Sequence, residues 1–301
     1  MSGAADAPSV RNDPRWPWIA PLLVCPKCQS ALDAGNTEPF LTCPGCGSVY
    51  GRAPATGVLD LRCPSPKTHA LSVRTGAHAF GDLLGQVPVG PPPTTYAGAL
   101  PPRTTREFMS VIKDDVTPGG FVLEVGGGPA RYRAPILGLG FRFLTTDYES
   151  AAADILVDAH ALPFKTACAD ALLMQSVSQA FENPFVAFRE VARVVKSGGL
   201  VLGTADCCAV FAASFYNMTP WGLLSVLQAS GLALERLWLT KDALEFCGTN
   251  PGYPSVMKPI LRGLSRLARL RVLTPRNFLG GRASDPLVTA GSLAFIARKV
   301  P

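Results

Sequence analysis

Apolar runs and amphipathic stretches alternate along the second two thirds of this chain of 301 residues. Nearly continuous apolar runs predict buried strands over residues 121–125, 141–146, 154–157, 171–174 and 199–203, with two later strands over 232–239 and 292–300. Apolar residues at helical spacing predict helices over residues 104–115, 184–195 and 218–231. Strands that are apolar on both faces and separated by helices are typical of a parallel sheet covered on both sides. The pattern therefore predicts an α/β fold with a doubly wound, mostly parallel sheet of seven strands.

Composition divides the chain into four parts. Residues 1–20 are polar and broken by prolines, residues 21–62 hold two cysteine pairs, and residues 63–103 are rich in Pro, Gly, Thr and Ala. We expect these to be an N-terminal tail, a small cysteine-rich unit and a linker. The large α/β domain would then occupy residues 104–301, with an insertion at 240–290.

Four of the nine cysteines form two closely spaced pairs, Cys25 with Cys28 and Cys43 with Cys46. An odd cysteine total with two CxxC pairs favours a metal site over a disulfide framework. Four thiolates close a tetrahedral Zn²⁺ site and leave no position open for a substrate, so this zinc would be structural. A unit of about 40 residues also buries too little surface to fold without such a staple. A metal-free or redox-active pair is the alternative.

A glycine turn follows the first predicted strand of the large domain. Glu124 lies in the strand, and Gly126, Gly127 and Gly128 follow it directly. Glycines let the backbone approach a ligand, although an ordinary tight turn has the same composition. A carboxylate at Glu124 would repel a phosphate and pair with a cation. The turn therefore favours a positively charged nucleoside such as S-adenosylmethionine, which carries a sulfonium and an ammonium group, over a dinucleotide.

Further polar residues end the next predicted strands. Asp147 comes 19 residues after Gly128, a spacing at which an acid binds ribose hydroxyls. A helix cap is the structural alternative for this residue. Asp158 and Gln175 end the two strands after it. Because ligands of parallel sheets bind at the carboxyl ends of the strands, these side chains should line one rim with Glu124.

These motifs resemble those of class I S-adenosylmethionine-dependent methyltransferases, in particular the bacterial group called type 11. The resemblance rests on Val-Leu-Glu-Val-Gly-Gly-Gly at 122–128, Asp147, Asp-Ala-His-Ala-Leu-Pro-Phe at 158–164, Asp-Ala-Leu-Leu at 170–173 and the run at 188–199. It implies a Rossmann-like methyltransferase fold with S-adenosyl-L-methionine as the cofactor. Two departures from the family pattern are Ala130 at the third glycine of the turn, and Gln179 with Ala180 where a Glu-His pair is often found.

The resemblance also implies roles for the rim residues. Those expected to bind the cofactor are Glu124, Gly126, Gly127, Gly128, Asp147, Tyr148, Asp158, Ala159, Gln175 and Ser176. The first four would hold its methionine part, Asp147 its ribose, and Asp158 with Ala159 its adenine. Gln175 and Ser176 would lie near the methyl group.

The cysteine unit resembles the short zinc-ribbon module that precedes many bacterial methyltransferase domains. Some of those enzymes modify guanine in ribosomal RNA. The RNA enzymes typically have a histidine among their metal ligands, whereas this chain has Cys46. The resemblance therefore implies a zinc ribbon but speaks against an RNA acceptor.

Methyl transfer requires that nucleophile, methyl carbon and sulfur lie in line, and it requires a base only when the nucleophile carries a proton. Candidates for this base near the rim are His160, Asp206, Tyr216 and Cys207. Structural alternatives exist for three of them. His160 would be a loop residue, Tyr216 part of a lid, and Cys207 a small apolar filler.

The insertion contains a basic amphipathic helix over residues 258–273, with leucines at helical spacing and four arginines among them. It would be a lid with solvated arginines, a membrane-surface helix or an RNA contact. Thr219 and Pro220 predict the start of another helix, as N-cap and first residue. The neighbouring aromatics Phe215 and Trp221 would be either pocket walls or core.

The overall composition limits the class of protein further. The net charge of +6 is mild, no run of about 18 apolar residues is free of charges and breakers, and no signal-peptide pattern begins the chain. We therefore expect no transmembrane segment and a cytoplasmic location. The sequence predicts a methyltransferase for a small-molecule acceptor such as a secondary metabolite. The alternatives are an RNA base methyltransferase and a non-catalytic nucleoside-binding protein that docks a protein partner through its zinc ribbon.

Overall fold

The structure is a computed structural model that describes residues 13–32, 40–63, 104–208, 214–249, 254–269 and 290–301. Almost all of the predicted linker at 63–103 lies outside the described residues. So do residues 1–12 of the predicted tail and residues 270–289 of the predicted insertion. The predicted helix at 258–273 is therefore described only as far as residue 269.

The described ranges contain seven α-helices and ten strands. The helices are α1 Trp16–Ile19, α2 Thr104–Asp115, α3 Arg133–Gly138, α4 Pro184–Val194, α5 Pro220–Ala229, α6 Ala243–Thr249 and α7 Met257–Arg269. The strands are β1 Leu41–Thr42, β2 Val49–Tyr50, β3 Leu59–Asp60, β4 Phe121–Val125, β5 Arg142–Asp147, β6 Ile155–Leu156, β7 Ala169–Gln175, β8 Val195–Asp206, β9 Leu232–Asp242 and β10 Ala290–Lys299.

Eight strands form one mostly parallel sheet in the order β3-β6-β5-β4-β7-β8-β10-β9. The first six strands of this order run parallel, and β10 is antiparallel to both β8 and β9. The predicted doubly wound, mostly parallel α/β sheet is thereby confirmed. All seven of its predicted strands are present, with β8 and β9 longer than expected.

The eighth strand corrects the prediction of a seven-stranded sheet. It is β3, which comes from the cysteine-rich unit and pairs with β6 through Leu59 opposite Ile155 and Asp60 opposite Leu156. Strand β6 is only two residues long, and an edge strand presents unpaired backbone N–H and C=O groups. Strand β3 satisfies these groups, so the cysteine-rich unit completes the edge of the large sheet.

Helices cover the sheet because their apolar residues fall on one side. Phe108 and Ile112 of α2 pack against one face of the sheet, and Phe188 and Val191 of α4 belong to the larger apolar cluster on the other. Helix α4 begins where the Asn183 side chain accepts a hydrogen bond from the Val186 amide. Helix α5 begins in the same way at the predicted cap Thr219, with Pro220 as its first residue. Both helices therefore start at side chains that satisfy free backbone donors.

Residues 13–20 differ from the tail predicted over residues 1–20, because they are folded against the sheet. The Trp18 ring meets Phe121 of β4 edge-on at 5.6 Å between centroids, and the Arg142 guanidinium lies 5.5 Å from the same indole. Arg15 Nη1 donates to Asp154 Oδ1 at 2.8 Å, and Arg133 Nη1 donates to the same oxygen at 2.7 Å. One nearly buried carboxylate thus joins the N-terminal segment to helix α3. The boundaries between the four parts of the chain stay a prediction.

Replacing Arg15 by alanine is expected to lower the free energy of unfolding by about 1–2 kcal/mol, since the Asp154 side chain is only 6% exposed and loses one of two cations. Urea titration followed by circular dichroism measures this change. The matched control is Arg236→Ala, because Arg236 is 49% exposed in its pair with Glu107. The control should cost less than about 1 kcal/mol. Equal losses in both variants would contradict a stabilising role for the Arg15 pair.

Candidate cofactor and active site

The turn after β4 brings the backbone close to the ends of the strands. Gly126 has φ +72° and Gly128 has φ +48°, both in the left-handed region that glycine enters without steric penalty. A β-carbon on Gly127 would overlap the Thr145 hydroxyl and the Glu124 carboxylate. Only glycine at this position therefore lets the turn lie directly against the buried carboxylate.

Glu124 is the most unusual charged group at this rim. Its side chain is buried at 2% exposure, and its Oε2 atom has no hydrogen-bond partner among the described residues. Burial raises the pKa of Glu124 to about 7. A buried carboxylate without a partner is unfavourable, and a cation placed over it would remove that penalty. The orphaned oxygen and the space kept by Gly127 fit the ammonium group of an amino-acid ligand.

Asp147 holds the glycine turn from the end of β5. Its Oδ2 accepts a hydrogen bond from the Gly128 amide at 2.9 Å, and its Oδ1 accepts from the Glu149 and Ser150 amides at 3.1 Å. The Ser150 hydroxyl donates to the Gly128 carbonyl at 2.6 Å. Asp147 Oδ1 already accepts two hydrogen bonds, whereas Oδ2 accepts one and so has capacity for a ribose hydroxyl. Asp147 thus combines the predicted position at the rim with a structural role in the turn.

Asp158 and His160 form a buried pair behind the expected adenine position. Asp158 Oδ1 accepts hydrogen bonds from the His160 amide at 2.9 Å and from its Nδ1 at 2.6 Å. The Asn183 amide donates to His160 Nε2 at 3.0 Å, so Nε2 is the unprotonated nitrogen and Nδ1 carries the proton. Because both ring nitrogens are occupied, the structure supports positioning of the Asp158 loop rather than base catalysis by His160.

A second polar cluster lies at the ends of β7 and β8. Ser176 Oγ lies 3.2 Å from Thr204 Oγ1 and donates to Asp206 Oδ1 at 3.4 Å. Gln179 Nε2 donates to Asp206 Oδ2 at 3.1 Å and to the Ser176 carbonyl at 2.6 Å. Burial raises the pKa of Asp206. Gln175 ends β7 beside this cluster, opposite Thr204.

Two of these partners were missed by the sequence analysis. Gln179 was noted only for the absence of a Glu-His pair, and Thr204 was not considered. Both follow or end strands at the carboxyl edge, which is the signal that identified their neighbours. The contact of Gln179 with Asp206 and that of Thr204 with Ser176 depend on the side-by-side pairing of β7 and β8, which no local pattern reveals.

Two non-glycine residues at the rim have a left-handed backbone. Ala130 has φ +54° and Ser176 has φ +49°. Such a conformation costs roughly 1–2 kcal/mol for a residue with a β-carbon. Ala130 occupies the turn position where the family has a third glycine. The turn is kept, although the left-handed backbone of Ala130 lowers the stability of the fold. Ser176 is held by two hydrogen bonds from its amide to Thr204.

The remaining catalytic candidates have structural partners. The Tyr216 hydroxyl donates to the Glu182 carbonyl at 3.2 Å, although its ring is 45% exposed. The Cys207 thiol donates to the Met218 carbonyl at 3.1 Å, and burial raises its pKa to about 12. Cys207 is therefore a protonated thiol at neutral pH and a poor nucleophile or base.

The cysteine-rich unit lies beside the β5 end of the rim. The Arg62 guanidinium lies 5.1 Å from the centre of the Tyr148 ring and donates to the Tyr148 carbonyl at 3.0 Å. Asp60 accepts two hydrogen bonds from this guanidinium, through its Nε and Nη2 atoms. The backbone of Val24 also donates to the Pro163 carbonyl at 3.0 Å. Tyr148 is thus held by the N-terminal unit as well as by its own strand.

The four paired cysteines converge on one point. All ligand atoms of Cys25, Cys28, Cys43 and Cys46 lie within 4.8 Å of one another. The Sγ separations are 3.6 Å from Cys25 to Cys46 and 3.4 Å from Cys28 to Cys43. A tetrahedral site with Zn–S bonds of about 2.3 Å requires Sγ separations of about 3.8 Å. The donor set and its geometry therefore fit a zinc ribbon with a closed, structural site.

The two halves of the cysteine cluster have the same backbone. The Gln29 amide bonds to the Cys25 carbonyl and the Gly47 amide to the Cys43 carbonyl, both at 2.8 Å. Gln29 and Gly47 also share positive φ values, 63° and 70°. Each cysteine pair thus forms the same tight turn.

The fold and the rim together define a class of protein. A doubly wound sheet presents at one edge a glycine turn, the buried Glu124 near the end of β4 and Asp147 at the end of β5. This arrangement suits a nucleoside-binding α/β domain whose ligand carries a positive charge.

The comparison with protein families agrees with this class. Residues 123–203 match the family model described as a methyltransferase domain. The chain therefore carries a methyltransferase domain over these residues. No curated protein matches the chain. Within the described residues, every helix is too short or too polar to cross a membrane.

Several solved structures are similar to the chain at low sequence identity. An S-adenosylmethionine-dependent methyltransferase from Mesorhizobium loti is 15% identical with a TM-score of 0.41, and the match covers 67% of this chain and all of the other. One from Methanosarcina mazei is 12% identical at a TM-score of 0.42, covering 63% and 97%. A phosphoethanolamine N-methyltransferase from Haemonchus contortus is 14% identical at 0.38, covering 65% and 52%. These similarities carry no argument about the acceptor.

Proposed function

We propose that this methyltransferase acts on a small-molecule acceptor bound between the Asp206 cluster and the segment 214–221. The observation that carries the proposal is the attachment of this segment across the rim. The Phe215 amide donates to the Gln179 carbonyl at 2.8 Å, and the Met218 amide donates to the Asp206 carbonyl at 3.1 Å. Phe215 and Trp221 are 65% and 54% exposed. Exposed aromatic rings beside a polar cluster suit a planar or apolar acceptor.

The cofactor residues follow from the rim geometry. We propose that Glu124 pairs with the ammonium group, that Asp147 accepts the ribose hydroxyls, and that Asp158 with Ala159 borders the adenine. When bound, S-adenosylmethionine supplies a methyl group activated by the sulfonium. The chain's own part is to orient the acceptor atom and to accept its proton.

Asp206 is the residue we propose as that proton acceptor. Its carboxylate is partly buried and receives hydrogen bonds from Ser176 and Gln179, which fix its orientation. Since burial raises the pKa of Asp206, its carboxylate is a stronger base than a solvated aspartate. Neither His160 nor Cys207 offers a comparable free acceptor atom in this structure.

Replacing Asp206 by asparagine is expected to lower kcat by about a hundredfold, at the lower end of the range for general-base catalysis. Release of S-adenosylhomocysteine with an accepted small molecule measures kcat, and calorimetric titration measures cofactor affinity. Cofactor affinity should be unchanged, because Asp206 lies in the acceptor cluster. The kcat of the wild type should rise with pH across the raised pKa of Asp206. An unchanged kcat in the variant would contradict the assignment.

RNA is a less suitable acceptor than a small molecule because the rim is acidic. Glu124, Asp147, Asp158 and Asp206 all lie at this edge, and they would repel phosphates. The acceptors tested in the assay of S-adenosylhomocysteine release should include RNA oligonucleotides. If the protein methylates RNA with a steep salt dependence and methylates none of the small molecules, the proposed acceptor class is wrong.

We further propose that the cysteine cluster holds structural Zn²⁺ and that the protein works in a reducing, cytoplasmic compartment. All nine cysteines are free thiols in the structure, as expected where disulfides do not form. The predicted role of the ribbon as a docking site for a protein partner gains no support. The ribbon's strand β3 and its residues 23–24 are engaged with the chain's own sheet and adenine loop.

A further inference from the structure

Helix α7 presents apolar side chains to the outside of the molecule. The exposed fractions are 58% for Ile260, 37% for Leu264 and 43% for Leu267, and the two residues at its start, Val256 and Met257, are 75% and 42% exposed. Because residues three or four apart share a helix face, these side chains form one outward stripe. We call it the α7 stripe. Five large aliphatic side chains in one stripe are unusual on a surface that meets only water.

Two polar residues of the same helix hold it against the rest of the chain. Ser265 is 2% exposed, and its hydroxyl donates to Asp242 Oδ2 at the end of β9 at 2.6 Å. Arg262 Nε donates to the Gly248 carbonyl at the end of α6 at 3.1 Å. Turning the helix to bury its stripe would break both hydrogen bonds. The outward direction of the apolar residues is therefore fixed by the contacts of the helix.

Charge is concentrated in the segment that contains this helix. Residues 246–284 hold seven of the 28 lysine and arginine residues and none of the 22 aspartate and glutamate residues. The rest of the chain consequently has a net charge of −1, and the whole positive charge of the protein belongs to this segment. Arg262 and Arg266 of α7 are exposed. The described part of α7 thus combines exposed aliphatic side chains with exposed arginines.

We propose that helix α7 docks the protein on the surface of a lipid bilayer that contains anionic headgroups. Aliphatic side chains of the α7 stripe would enter the acyl boundary, while the basic residues meet the negative headgroups. Nucleic acid would satisfy the charges but leave the aliphatic stripe without a partner. A second copy of the chain would cover the stripe but bring two positive segments together. Only the anionic bilayer satisfies both features at once.

The docked surface lies at the same end of the sheet as the Asp206 cluster. Ala290 of β10 pairs with Asp242, which anchors α7, and Ser292 pairs with Asp206. Docking would therefore place the carboxyl edge of the sheet beside the bilayer. The docking proposal itself does not depend on which acceptor is methylated.

Sedimentation with sucrose-loaded vesicles tests the proposal without any activity measurement. Wild-type protein should sediment with vesicles of phosphatidylcholine and phosphatidylglycerol and bind pure phosphatidylcholine at least about tenfold more weakly. The double variant Ile260→Ser with Leu264→Ser should bind the mixed vesicles at least about tenfold more weakly than wild type, because two aliphatic side chains no longer enter the acyl region. Arg266→Gln should weaken binding about fivefold.

The matched control is Val300→Ser, because Val300 is 51% exposed but lies at the end of the chain outside α7. It should bind the vesicles like wild type. Thermal unfolding of each variant shows that the fold is intact. Equal vesicle binding by the wild type and the double variant would overturn the proposal. The proposal would also be overturned if the protein bound no vesicles but bound an RNA oligonucleotide tightly. A dimer that forms in sedimentation equilibrium only with an intact α7 stripe would overturn it as well.

Discussion

Replacing Glu124 by glutamine is expected to weaken S-adenosylmethionine binding by about a thousandfold. The glutamine keeps the shape of the side chain but removes the charge that we propose to face the ammonium group. Loss of one partner of a buried charge pair costs about 2–5 kcal/mol, and each 1.4 kcal/mol is a factor of ten in affinity. Calorimetric titration of the purified variant with the cofactor measures the change.

The pH dependence of this binding gives a second signature of Glu124. Its pKa of about 7 in the folded protein lies above the ordinary value of 4.5. The folded state without cofactor therefore favours the protonated acid. Between pH 4.5 and 7 the wild type should lose on the order of 3 kcal/mol of stability, because the carboxyl ionises in the unfolded chain while the buried group stays protonated. Cofactor affinity should rise over the range around pH 7, because only the carboxylate attracts a cation. Both dependences should disappear in Glu124→Gln.

Glu149→Gln is the matched control for this prediction. Glu149 is an exposed acid at the same rim, two residues after Asp147. Its replacement changes the net charge equally but leaves the buried carboxylate in place. The control should change cofactor affinity by less than about fivefold. If Glu124→Gln binds the cofactor as well as Glu149→Gln does, Glu124 does not hold the ammonium group.

Replacing Cys43 by serine, or removing zinc with a chelator, is expected to lower the midpoint of thermal unfolding by about 10 °C or more. Structural zinc contributes about 10 kcal/mol or more of folding free energy to small modules, and about 1 kcal/mol shifts the midpoint of a domain of this size by 2–4 °C. The effect should reach the large domain. Leu41, Cys43 and Tyr50 belong to the same apolar cluster as the core strands, so loss of the cysteine-rich unit uncovers the sheet.

Zinc content measured with a chromogenic chelator, alongside differential scanning fluorimetry, checks this expectation. Wild-type protein should release one zinc ion per chain and Cys43→Ser much less. Cys247→Ser serves as the control, because Cys247 is a free cysteine outside the cluster. A chain that unfolds at the same temperature with and without its cysteine cluster, and that contains no zinc, would contradict the proposed site.

The sequence predicted the features whose residues lie close together along the chain. Glu124, the glycine turn and Asp147 lie within 24 residues, and their placement follows once a parallel sheet is accepted. The four cysteines likewise indicate a common cluster, because they form two closely spaced pairs. Helix α2 and strand β4 have the bounds predicted for them, because their apolar patterns are strong and breakers flank them.

Features that depend on distant pairings could not be predicted in this way. The pairing of β3 with β6 joins Leu59 to Ile155, two residues that no local pattern connects. The partner of His160 Nε2 is an amide 23 residues away, so the sequence could not exclude this residue as a base. Arg15 pairs with a carboxylate 139 residues later, and no pattern near Arg15 indicates which acid this is.

The strand that closes the sheet edge also has a consequence for biosynthesis. Leu59 and Ile155 pair although 96 residues separate them. Synthesis proceeds from the N-terminus at about 5–20 residues per second. The cysteine-rich unit therefore leaves the ribosome several seconds before its partner strand exists. During that interval it has no sheet to complete, and a metal ion held by its four thiolates would keep the unit folded until the partner strand arrives.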